Sequence, residues 1–113
     1  MKQITRTVPV DALRDLVEDA EDVYLAYVVD GEAEAVRVRA RREGERWLVA
    51  LPDGVSIDDG ARVSLLFDGG EFYFELRGVR VRGTLRDAGG GEPEVVPEKI
   101  VTWDYGAMRE RTP

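Results

Sequence analysis

The chain contains no cysteine and no histidine. Without thiols there can be no disulfide, zinc–thiolate site or cysteine nucleophile. Without imidazole the commonest metal ligand and the usual general base are both missing. Asparagine is absent too, and two lysines stand against fourteen arginines. No apolar run reaches the length of a transmembrane helix. The start, Met1-Lys2-Gln3-Ile4-Thr5-Arg6, has no apolar signal core, so a cytoplasmic location is expected.

What is present is a short, acidic, globular composition. The 113 residues are 43% hydrophobic and 35% charged, with a formal net charge of -7. That length suits one domain over residues 1–113, and the apolar content is too high for disorder. The acidic balance disfavours a nucleic-acid surface, which needs concentrated positive charge, and disfavours an anionic membrane as partner.

Helical spacing is confined to the start. Val10, Leu13, Leu16, Val17 and Ala20 recur every three or four residues, predicting a helix over Val8–Ala20 with Thr7 as N-cap and Pro9 in its first turn. The period then becomes two. Val23–Val29 is apolar on both faces, which predicts a strand covered on both sides. A chain this small can hardly supply both covers, so a homodimer is expected.

Asp30-Gly31 predicts a hairpin. The next strand, Ala33–Arg41, changes apolar phase between Ala35 and Val36, which predicts a bulge or sharp bend. Further strands are expected at Arg46–Leu51, Ala61–Phe67 and Glu71–Asp87, with an Asp68-Gly69-Gly70 hairpin between the last two. Phe72, Phe74 and Leu76 share one phase while Val79, Val81 and Leu85 take the other, predicting a barrel corner at Gly78. A last strand from Val95 must be an edge or break at Pro97. The sum is an all-β fold with one N-terminal helix: a small antiparallel split β-barrel of about six strands.

Three stretches carry more specific information: RVSLLFD, RGVRVRGTLRD and EVVPEKIVTWDYG. In this order they resemble the pyridoxamine 5'-phosphate oxidase-like split-barrel family. That resemblance implies a homodimer holding a flavin, FMN or a deazaflavin, between subunits, and possible oxidoreductase activity on a small organic substrate. It also implies that strand arginines hold the flavin phosphate, with a serine and a lysine in the following loop. The matching positions are Arg37, Arg39 and Arg41, which form a same-face row, and Ser56. The lysine position holds Asp58 or its neighbours, and a carboxylate there would repel a phosphate. An aromatic near the flavin or the dimer seam corresponds to Trp103.

Other features have plainer readings. Arg80, Arg82 and Arg86 form a second row consistent with a solvated strand face. Trp47 continues a core pattern, and the acidic run from Glu18 to Asp22 marks a helix end. Tyr24 and Tyr27 have no partnered base, so no catalytic residue is assigned. Two readings therefore stand. One is a flavin-binding split barrel. The alternative is a degenerate barrel that dimerises without flavin and serves as an interaction or small-ligand module.

Overall fold

A computed structural model describes residues 9–20, 23–69, 77–87 and 91–104. The chain enters through a single 3-10 turn, Val10–Leu13, that runs into a short helix α1, Arg14–Asp19. The five residues with helical spacing all turn inward. Leu13, Leu16 and Val17 are buried, and Val10 and Ala20 pack against the same core. The expected cap at Thr7 lies outside the described residues. Pro9 holds the N-cap position and, having no side-chain donor or acceptor, makes no cap hydrogen bond.

Among the described residues seven antiparallel strands follow: β1 Val23–Val29, β2 Glu32–Arg37, β3 Arg39–Glu43, β4 Arg46–Ala50, β5 Arg62–Gly69, β6 Arg77–Arg86 and β7 Glu94–Asp104. They form one sheet in the order β2-β1-β5-β6-β7-β4-β3. Its two outermost strands, β2 and β3, are separated in sequence by Val38 alone. Opposite edges of a seven-stranded sheet can be joined by one residue only if the sheet curls until its edges meet. The result is a split barrel, with the split at Val38.

The count is seven rather than about six because the segment expected as one strand, Ala33–Arg41, divides there. Ala33 and Ala35 point outward and Val36 inward along an unbroken β1–β2 register, so no bulge separates them. The bend falls two residues later, where the Val38 amide donates to the Val23 carbonyl and the chain changes partner. The Asp30-Gly31 turn is as expected, with both φ angles positive at 52° and 80°.

The core fills the inner face. Leu25, Val63, Leu65, Phe67, Val79, Val81 and Leu85 are buried, and Trp47 stacks at a tilt on Phe67 with ring centroids 5.6 Å apart. Two glycines behave differently from expectation. Pairing is regular through Gly78, which lies opposite Asp68 on one side and Trp103 on the other. The irregularity occurs instead between Arg82 and Gly83, where Glu98 is the extra residue and Pro97 faces Gly83. Strand β7 therefore runs through Pro97 rather than ending there. Its other side pairs with β4 at Glu94 and Val95. Asp68 and Gly69 are ladder residues paired with Gly78 and Arg77, so the hairpin connection is 70–76, outside the described residues.

Candidate functional site

A cavity lies at the split. About 760 Å³ in volume, it is lined on one side by Arg37, Val38, Arg39 and Ala40, which span the β2–β3 junction. Ala50, Leu51 and Pro52, at the end of β4, face them, and Ala20 contributes from the end of α1. This volume falls within the range typical of cofactor pockets, roughly 300–1,000 Å³. The local sequence explains the shape. Val38 is buried and turns the chain across the barrel, while its neighbours on either side must point outward. Pro52 has no amide to extend the β4 ladder, so the opposite wall ends there.

Among the described residues Arg37 and Arg39 are the charged side chains lining this cavity, in a chain whose net charge is -7. Arg39 is exposed and forms no ion pair among the described residues. Two arginines beside apolar walls suit a phosphate or carboxylate attached to a largely apolar molecule.

The arginine row does not remain intact. Arg37 ends β2, whereas Arg39 and Arg41 belong to β3, so neighbours in sequence lie on opposite edges of the sheet. Arg41 hydrogen-bonds to Glu92 and, at 3.3 Å, to Glu43. The Glu92 bond and charge push the Arg41 pKa up, keeping it charged but engaged. Ser56 is exposed and does not line the cavity, and neither does Asp58. The carboxylate expected to repel a phosphate is thus not part of the arginine-lined wall. Trp103 is half-buried across Gly78 on β7 and is also absent from the cavity lining.

Arg42 escaped notice in the sequence because its neighbours Arg39 and Arg41 suggested a solvated row. It has the opposite phase and reaches inward, its guanidinium 5.2 Å above the Trp47 ring. Its Nη1 donates to Asp11 at 2.8 Å, and the hydrogen bond and charge of Arg42 together hold the Asp11 carboxyl below its ordinary pKa. Of the second row, Arg80 and Arg82 lie on the outer face of β6, as a solvated row should. Among the described residues no group of three or more carboxylates gathers in a metal-binding arrangement, and no helix is long and apolar enough to cross a membrane.

No family model matches the sequence, and no curated protein sequence is similar to it. Solved structures are similar in fold. The conserved hypothetical protein Rv2991 from Mycobacterium tuberculosis superposes with a TM-score of 0.75 at 16% identity, covering 100% of this chain and 94% of its own. An FAD-binding protein from Mycobacterium smegmatis superposes with a TM-score of 0.69 at 17% identity, covering 87% of this chain and 95% of its own. At such identities the likeness concerns the backbone, and it extends over nearly the whole of each chain. The seven strands curled around a split at Val38 are therefore a fold shared with a flavin-binding protein.

Proposed function

We propose that this protein binds a flavin nucleotide in the cavity at the split, with the phosphate end on Arg37 and Arg39. The observation that carries the reading is a cavity of about 760 Å³ whose charged lining, among the described residues, is that arginine pair. The fold shared with an FAD-binding protein supports it. Val38, Ala40, Leu51 and Pro52 offer the apolar contact a ring system needs. FMN and FAD both present a phosphate and an isoalloxazine, and a deazaflavin presents a similar pair of groups. A relationship to the pyridoxamine 5'-phosphate oxidase-like proteins belongs to this proposal.

A bound flavin would supply hydride and electron transfer, making the protein an oxidoreductase for a small organic substrate. The residues of this chain would anchor the phosphate and exclude water from one side of the ring. The protein would act as a homodimer. Along β1, Tyr24 is 40% exposed and Val28 64%, beside exposed Ala26, Ala33 and Ala35 and half-buried Leu66 on the same outer face. An apolar sheet face of this kind is covered in a stable assembly. A cytoplasmic location remains part of the proposal.

The second reading, a barrel that dimerises without flavin, is favoured by one observation: neither Ser56 nor Trp103 lines the cavity. The visible absorption spectrum of the purified protein, followed by titration with FMN and FAD, separates the two. A bound flavin spectrum or saturable binding is expected. Their absence, with the dimer intact, would leave only the second reading.

A further inference from the structure

The cavity at the split continues along β3. Arg39 and Ala40 line it, and they also line a smaller space of about 90 Å³ whose other walls are Arg41 and Glu92. Arg39 therefore stands between the two, with apolar walls on one side and an ion pair on the other. We infer that Glu92 selects the ligand of this site by its phosphate count. It admits a flavin that ends in one phosphate and disfavours one whose phosphate is extended into a diphosphate. This rests on the flavin reading above, and adds to it the residue that tells FMN from FAD.

Residues two apart on a strand share a face and lie about 6.6 Å apart, so Arg41 is the next cation beyond Arg39 on that face of β3. The phosphate of FMN is a monoester and ends at the Arg37–Arg39 pair. In FAD the same phosphate carries a second one, which needs a cation of its own. Arg41 is already engaged, because its Nη1 donates to Glu92 and its Nη2 to Glu43 at 3.3 Å. Both tips of the fork that grips a phosphate are taken.

The two carboxylates are not equivalent. Glu92 borders the small space, whereas Glu43 is not among the described residues lining it. A second phosphate entering from Arg39 meets the Glu92 carboxylate directly, and a like charge set against the wrong ligand is how a site rejects it. Strand pairing puts Glu92 in this position. Leu48 on β4 pairs with Arg41 on one side and Glu94 on the other, and the Val49 amide donates to the Pro93 carbonyl. The residue before Pro93 is thus carried level with the Arg39–Arg41 stretch, across one intervening strand.

Titration of the intact protein with FMN and with FAD, read by flavin fluorescence and by calorimetry, tests the inference. FMN should bind about tenfold more tightly than FAD. Glu92 and Arg41 are both exposed, so replacing Glu92 costs the fold little. Glu92→Gln should narrow the preference to about twofold, and Glu92→Lys, which puts a cation in the same place, should reverse it. Glu43→Gln frees the other arm of Arg41 but leaves Glu92 in place, and should keep the preference within about twofold of the wild type. Saturable binding of neither flavin would overturn the reading of the site, and the selector with it. Binding of both flavins without a preference for FMN would overturn the selector alone. So would a preference unmoved by Glu92→Gln and Glu92→Lys, or equal narrowing by Glu43→Gln.

Discussion

Trp103 lies directly across Gly78 on the neighbouring strand, so that a methyl group added at Gly78 would come within 2.1 Å of the indole Cζ2. The glycine is needed for this contact, not for its backbone angles. Gly78→Ala must push the indole aside, a form of overpacking that costs about 1–3 kcal/mol. The expected result is a lowered denaturation midpoint with a shifted Trp103 emission. An unchanged midpoint and unchanged emission would contradict the contact.

Gly83 is more constrained, because a Cβ there would fall 1.8 Å from the Val96 carbonyl oxygen. An indole can rotate, but a backbone carbonyl in a ladder cannot move without breaking strand pairing. Gly83→Ala should therefore destabilise more than Gly78→Ala and speed amide exchange on both sides of the bulge. Equal midpoints for the two variants in urea denaturation would count against this ordering.

The flavin proposal distinguishes two arginines that look alike in sequence. Arg39 lines the cavity, whereas Arg41 is held by Glu92 and Glu43. Losing one charge-assisted phosphate contact costs about 1.5–3 kcal/mol, or roughly ten- to a hundredfold in affinity. Arg39→Glu should weaken FMN by at least that factor, and Arg41→Glu by far less. Equal losses in fluorescence titrations would move the phosphate elsewhere.

Among the described residues two ion pairs tie the helical segment to the sheet, Asp11 to Arg42 and Asp15 to Arg77. The hydrogen bond from Arg42 and its charge lower the Asp11 pKa, and the hydrogen bond from Arg77 does the same for Asp15. A carboxylate with a depressed folded pKa stabilises fully above its unfolded value, about 3.8, and loses that contribution as pH falls further. Melting temperatures of wild type and Asp15→Asn should therefore differ near neutrality and converge in acid. A constant gap across that range would show that the pair is not linked to folding.

The homodimer proposal rests on the outer face of β1. Val28→Asp puts a carboxylate in the middle of that face, where the side chain is already 64% exposed in the single chain. It should cost the monomer fold little and abolish association. Sedimentation that still finds a dimer would place the interface on another surface.

Period-two alternation made much of the barrel legible. Val23–Val29 appears with the expected bounds, and Val63, Leu65 and Phe67 point inward as their spacing requires. The inward phase of Val79, Val81 and Leu85 was equally clear. Alternation fixes which face a residue takes within a strand, because successive side chains must point to opposite sides. It says nothing about which strand lies alongside. That is why Ala33–Arg41 read as one strand, and why Gly78 rather than Gly83 read as the irregular position.

The candidate site shows the same division. The sequence by itself determined an acidic, thiol-free, imidazole-free β-barrel with outward arginines at Arg37, Arg39 and Arg41. Only the tertiary structure decided that Val38 joins opposite edges of the sheet, that Arg37 and Arg39 flank the resulting cavity, and that Arg41 is held by Glu92. The physical reason is range. Strand phase is set by bonds between adjacent residues, whereas the curl that brings edges together, and the carboxylate that reaches across 51 positions to Arg41, depend on pairings among all seven strands.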